Sequence, residues 1–368
     1  MENRKKDLLL VITMAVFLGI FTLWCMVKAP ETYSESERRV LPGRPDWSAE
    51  RFWNGKFISD FEDYAADQFP MRDLFRSIKA AAEQFVFGKL DNNDLYLHDG
   101  YAAKMEYPLQ EKMLDHAADR FLYLYDTYLA DTDTKLYFSV IPDKGCYLAK
   151  EAGRLSLDLQ ELIGKMREKT DYMQYVDITG VLSLQDYYRT DTHWKQENLG
   201  KAAELLADAM GVKLQASYEK KLANEQFFGV YKGQTALPLK PDQLYYLTND
   251  MLESCIVTSY DTGKPKQKQM YDLQTAQGRD PYEMFLGGSD ALLVVENPAA
   301  DTEKELVVFR DSFAGSLVPL LVEGYSKVTL VDIRYVSSSM LGNFIEFKDQ
   351  DVLFLYSTLL LNNSLALK

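Results

Sequence analysis

The stretch Leu306-Val307-Val308-Phe309-Arg310-Asp311-Ser312-Phe313-Ala314-Gly315 decides the fold. Its first four residues are a continuous apolar run, rich in β-branched and aromatic side chains, of the kind that fills a buried parallel strand. Arg310-Asp311-Ser312 then ends the run in a polar turn, and the spacing over 313–322 predicts a helix, with Pro319 as an internal objection. A strand that turns into a helix through a serine is a unit of an α/β sheet, and the chain on either side repeats the alternation. N-terminal to it, 135–141 reads as a strand ending in Pro142-Asp143-Lys144-Gly145, 157–170 as a helix, 174–178 as a strand and 195–210 as a helix closed by Gly211. Around and beyond it, 291–296, 328–333 and 351–356 read as strands and 340–347 as a helix. Strand and helix in alternation argue for a parallel sheet with crossovers.

In such a sheet, ligands collect beyond the carboxyl ends of the strands. Four polar groups fall there: Asp143-Lys144, the Asp191/His193 pair of Tyr188-Arg189-Thr190-Asp191-Thr192-His193-Trp194, Arg310-Asp311-Ser312, and Arg334. Serine is a weak nucleophile until a base takes its proton, and imidazole suits that task near neutral pH. The reading is therefore a Ser312-His193-Asp191 site, with Asp191 holding the imidazole tautomer. The plainer alternatives stay open at this level: Asp311-Ser312 as a helix cap, and Asp-x-His as a metal site. The G-x-S-x-G elbow is absent. A zinc site is poorly supplied, because the other two histidines, His98 and His116, lie on a hairpin turn and on a solvated helix face, with no cysteine cluster beside either.

The N-terminus sets a location. Arg4, Lys5 and Lys6 precede an uncharged apolar run from Leu8 to Val27, long enough to cross a bilayer and longer than an ordinary cleavable signal. The positive flank predicts a cytoplasmic N-terminus and an extracytoplasmic remainder. The domain reading is an anchor over 1–28, a stalk over 29–47 with Pro42, Gly43 and Pro45, and one large domain over 48–368. Within it, 48–87 predicts two amphipathic helices broken at Pro70, and 216–284, with many Gly and Pro, a β-rich insertion. A formal charge of −14 excludes nucleic acid as an expected partner. Cys146 and Cys255 read as two buried thiols rather than a disulfide framework.

At Thr190-Asp191-Thr192-His193-Trp194 and Asp311-Ser312-Phe313 the chain resembles the DHHW family of bacterial proteins, which are similar to the SGNH-like proteins that O-acetylate alginate. Asp67, Phe69-Pro70, Arg72, Pro142-Asp143-Lys144, Phe285-Leu286-Gly287-Gly288 and Asp332-Ile333-Arg334-Tyr335 fit as well. Thr192 stands where the family name implies histidine, as in the alginate-acetylating relatives. The resemblance implies an SGNH-hydrolase-like, flavodoxin-type sheet with helices on both faces and a circularly permuted motif order, the Asp-x-His block preceding the serine. It implies Ser312 as nucleophile, His193 as base and Asp191 as its orienting carboxylate. Gly287, Gly288, Asp143, Lys144, Arg310, Arg334 and Trp194 are then candidates for oxyanion or substrate contacts. The implied activity is O-acyl transfer, most simply of acetyl, or ester hydrolysis on a cell-surface or exported polysaccharide. A membrane-bound O-acyltransferase is the implied acyl donor, and no cofactor is called for. The alternative from a different class is a non-catalytic glycan-binding or scaffold protein of an envelope complex.

Overall fold

The computed structural model describes residues 2–34, 36–261 and 263–368. The chain forms two compact units, one of residues 1–92 with 232–238 and one of 93–231 with 239–368.

The first unit begins with α1 (Glu2–Val27), whose segment Arg4–Val27 is long and apolar enough to cross a membrane. Beyond it, β1 (Tyr33–Ser34) pairs with β2 (Arg39–Val40). Arg39 forks onto both carboxylate oxygens of Asp67, at 2.8 and 2.5 Å. α2 (Ala49–Trp53) starts where the Ser48 hydroxyl accepts from Arg51 N. α3 (Lys56–Asp67) and α4 (Arg72–Ala81) are the two helices read from the sequence. They are parted at Phe69-Pro70 and at Met71, which takes a left-handed φ of 57°.

The second unit opens with a hairpin of β3 (Leu95–His98) and β4 (Tyr101–Lys104). Asp99 and Gly100 both have positive φ at its turn, as a tight two-residue hairpin demands. Then follow α5 (Glu111–Leu124), β5 (Lys135–Ile141), α6 (Gly145–Leu148), α7 (Leu159–Lys169), β6 (Gln174–Tyr175) and α8 (Gly200–Ala209). β7 (Glu219–Phe227) and β8 (Asp242–Thr248) form a long hairpin. β9 (Ile256–Ser259), β10 (Lys266–Lys268), β11 (Leu292–Glu296), β12 (Glu305–Arg310), β13 (Lys327–Val331) and β14 (Asp351–Ser357) complete the strands.

The main sheet has eight strands in the order β10-β9-β11-β13-β12-β14-β5-β6. From β13 to β6 every pairing is parallel, and β11, β9 and β10 extend that sheet antiparallel. The expectation that 291–296 joins a run of parallel strands is therefore corrected. β11 runs against β13, because the short connection from Glu296 to Glu305 leaves no room for a crossover helix, and an apolar run carries no sign of its direction. The 216–284 region likewise adds β9 and β10 to the main sheet rather than lying wholly outside it.

Side chains alternate across the parallel strands as a two-sided core requires. Phe138, Phe309 and Phe354 pack with Leu114 and Phe121 of α5 and Leu162 and Met166 of α7 on one face. Leu306, Val308, Leu353 and Leu355 pack with Ala203 and Leu206 of α8 on the other. Where longer helices were expected over 313–322 and 340–347, the chain makes a short helix Ala314–Leu317 followed by 3₁₀ turns, and a 3₁₀ stretch Ser338–Asn343. Pro319, with no N–H to donate, sits in the first of those turns. The result is a mixed α/β, mostly parallel sheet with helices on both faces, and the polar segments after β5, β12 and β14 meet at one end.

Candidate active site

Ser312 follows β12 directly, and Asp311 builds the turn it occupies. One oxygen of Asp311 accepts from Phe313 N at 3.0 Å, and the other accepts from Ser357 N, at the end of β14, at 2.8 Å. The carboxylate thus shapes the turn before the helix and pins it to the neighbouring strand. The Ser312 hydroxyl takes no part in this turn and is left to His193.

The second half of the site is a loop closed by an isolated bridge between Tyr187 and Trp194, with Tyr188 N donating to His193 O at 3.1 Å. Ser312 Oγ lies 2.8 Å from His193 Nε2. Asp191 Oδ1 lies 2.5 Å from His193 Nδ1 and also accepts from His193 N at 3.1 Å. The three residues proposed from the sequence are therefore in one hydrogen-bonded line. The His193 side chain keeps 13% of its surface exposed against 2% for Asp191, so the carboxylate is enclosed while the imidazole is partly open.

Electrostatics follow from that enclosure. Burial pushes the Asp191 carboxyl up, but His193 and the backbone donors of His193 and Val230 more than offset it, holding the group well below the usual carboxylate range. Val230 N donates to Asp191 Oδ2 at 2.9 Å. The approach of this segment demands glycine at 229, since a Cβ there would stand 2.2 Å from Asp191 Cβ. Asp242, at the start of β8, accepts from Arg189 N at 3.1 Å and from Thr190 N and Oγ1 at 2.9 and 2.8 Å. The β7–β8 region thus holds the Asp-x-His loop in shape.

The other sequence candidates are placed as supports. Lys144, completely buried, donates from Nζ to Tyr188 O at 2.8 Å and Asp191 O at 2.5 Å, and burial lowers its pKa to about 8. Asp143 is buried, accepts from Gly145 N at 2.7 Å, and is pushed up by burial. Trp194 Nε1 donates to Phe313 O at 2.9 Å and Ser316 Oγ at 3.0 Å, joining the two halves of the site from beneath. Arg310 is buried and donates to Gly288 O at 2.9 Å and Asp290 O at 3.2 Å. Arg334 forks onto Asp332 at 2.6–3.2 Å. Leu286, Gly287 and Gly288 form a turn of three positive φ values, 40°, 70° and 60°. Gly288 N donates to Phe285 O at 3.0 Å. The hydrogen bonds of Asp143, Lys144, Arg310, Arg334 and Trp194 run to other groups of the chain.

Of the other histidines, His98 lies 3.9 Å from Asp99, and His116 Nδ1 lies 3.2 Å from Ser364 Oγ. Cys146 and Cys255 are free thiols. Sequence reasoning missed Tyr282, whose ring stacks on the His193 imidazole with centroids 3.8 Å apart. It also missed Gly229 and Asp242. Each acts only through a partner far along the chain, and their local sequence carries no chemical signature.

The fold has solved counterparts. The chain is similar to a DHHW family protein from Eubacterium siraeum, with a TM-score of 0.58 and 19% identity over 73% of this chain and 91% of that one. It is similar to Bacillus cereus PatB1, solved with a sulfonyl adduct, with a TM-score of 0.58 and 18% identity over 73% of this chain and 95% of that one. The O-acetyltransferase domain of Pseudomonas putida AlgJ is more distant, at a TM-score of 0.45 and 14% identity over 73% and 92% of the two chains. At these identities the likeness is one of fold. No family model matches the chain, and no curated protein matches it by sequence.

Proposed function

We propose that the chain is a membrane-anchored, extracytoplasmic O-acyltransferase or esterase acting on a cell-surface or exported polysaccharide. The observation that carries this is the line Ser312 Oγ, His193 Nε2, His193 Nδ1, Asp191 Oδ1, with contacts of 2.8 and 2.5 Å. Ser312 Oγ attacks the acyl carbon of the donor while its proton passes to His193 Nε2. His193 then gives that proton to the leaving oxygen, and an acyl-Ser312 ester remains. A sugar hydroxyl, or water, attacks the ester, its proton passing to His193 and from there to the departing Ser312 oxygen. Asp191 keeps Nδ1 protonated and stabilises the imidazolium at each transfer.

The Gly287-Gly288 turn, anchored by Arg310, is the proposed source of a backbone donor to the developing oxyanion. With Gly288 N engaged by Phe285 O, Gly287 is the candidate. The basic residues Arg4, Lys5 and Lys6 before an apolar helix support an uncleaved span with the catalytic unit outside. A membrane-bound O-acyltransferase is the proposed acyl donor. The acetyl group and polysaccharide are taken from the resemblance at the Asp191–Trp194 and Asp311–Phe313 motifs.

A fluorophosphonate probe on the full chain tests the reading. Labelling lost in Ser312→Ala and strongly slowed in His193→Ala is the expected result. Absent labelling, together with unchanged ester-linked acetyl on surface polymers of a Ser312→Ala strain, would favour the non-catalytic scaffold instead.

A further inference from the structure

The first unit carries an apolar surface that the proposed chemistry does not use. α2, α3 and α4 leave Trp53, Ile58, Phe61, Leu74 and Ile78 exposed, with Trp53 82% exposed. An exposed apolar set of this size on three successive helices calls for a covering phase.

Two independent ties fix these helices to the far end of α1. Phe21 stacks on Phe69 with centroids 5.2 Å apart and planes 3° from parallel, and meets Phe75 edge-on at 5.7 Å. Just past the helix, Glu31 N donates to Gln68 Oε1 at 2.8 Å and Gln68 Nε2 donates back to Glu31 O at 2.7 Å. Gln68 is buried. The turn between α3 and α4 is therefore held against α1 at both ring and backbone level.

Depth follows from helix geometry. Phe21 precedes Val27, the last residue of α1, by six positions, which is about 9 Å along the axis. The uncharged apolar run Leu8–Val27 is about 30 Å long, matching a hydrocarbon core of about 30 Å. With α1 spanning, Phe21 lies inside or at the boundary of the outer hydrocarbon layer, and a ring stacked on it shares that depth. The α3–α4 turn cannot stand clear of the lipid.

We infer that α2, α3 and α4 form a collar lying in the lipid–water interface around the exit of α1, with their apolar side chains in the glycerol and upper acyl region of phospholipid. The inference rests on the proposed reading of α1 as an uncleaved span. The flanking charges are of both signs, with Arg51 paired to Asp60 and Arg39 to Asp67. The collar is thus not polybasic, and its attraction is to the apolar layer of a zwitterionic membrane rather than to anionic headgroups. Exposed tryptophan beside phenylalanine is the composition that settles at that boundary.

The test uses the full chain, one copy per phosphatidylcholine nanodisc, with lipid brominated on the upper acyl chain as a quencher of tryptophan emission. Wild type is compared with Trp24→Phe in α1 and with Trp53→Phe in α2, where the exposed side chain makes the exchange benign for folding. Each variant is expected to lose part of the quenchable emission, and the loss for Trp53→Phe persists in salt on the order of 1 M. Quenching of Trp24 without quenching of Trp53 overturns the collar and leaves the span standing, with a second copy or another protein as the cover. Quenching of neither overturns the span and the collar together.

Discussion

Tyr282 lies flat against the His193 imidazole, centroids 3.8 Å apart and planes 5° from parallel. Its hydroxyl is 2.7 Å from Ser316 Oγ, which also accepts from Trp194 Nε1. Asp191 fixes the rotation of the imidazole in its plane, and Tyr282 fixes the plane itself. The base is thus held by two side chains that do different geometric work.

Tyr282→Ala is expected to slow fluorophosphonate labelling of Ser312 while Tyr282→Phe stays near wild type. A stacked ring pair contributes roughly 0.5–1.5 kcal/mol, so the alanine variant should lose about 2- to 10-fold in rate. Equal losses in the two variants would assign the effect to the Ser316 hydrogen bond rather than to stacking.

Asp191→Asn tests the carboxylate. Oδ1 takes both His193 donors and Oδ2 takes Val230 N, an acceptor-only pattern that an amide cannot reproduce. The amide either presents N–H to an N–H or turns the imidazole to the wrong tautomer. Labelling should fall by about 10⁴-fold with the fold intact by circular dichroism. A loss under tenfold would remove Asp191 from the orienting role.

Gly229→Ala puts a methyl group 2.2 Å from Asp191 Cβ and 2.4 Å from its Oδ2. The backbone around Val230 must retreat, taking its N–H off the carboxylate. The overpacking should lower stability by about 1–3 kcal/mol and slow labelling more than that loss of folded protein explains. An unchanged rate and melting temperature would show that the segment yields freely.

Much of this was legible before any coordinates, for reasons that differ by element. β5, β12 and β14 announce themselves because buried parallel strands need unbroken apolar runs. Ser312, His193 and Asp191 stand out because histidine is scarce here and its chemistry needs a partner. The direction of β11 was not legible, since a β run has the same alternation read either way. Nor were Gly229, Asp242 and Tyr282, each of which touches the Asp-x-His loop from about 40 to 90 residues away through bonds that only the folded chain creates. Arg310 and Lys144 were legible as residues at the site end of the sheet, but not in what they do. Only the fold reveals that Lys144 Nζ and the two terminal nitrogens of Arg310 donate to backbone carbonyls.

Glu106 carries a pH signature apart from the catalytic line. It is buried and accepts from Thr358 Oγ1 at 3.0 Å, and burial followed by the nearby Asp143 charge pushes it up to about 8. Between its ordinary value of 4.5 and about 8, the unfolded chain releases this proton while the folded chain keeps it. The stability it contributes is whole below that window, declines as pH rises through it, and is gone above. The slope is at most about 1.4 kcal/mol per pH unit. Glu106→Gln keeps the acceptor for Thr358 and has no proton to lose, so its melting temperature should fall less than that of wild type from about pH 5 to about pH 8. Parallel pH profiles for the two proteins would mean that Glu106 ionises in the fold at its ordinary value.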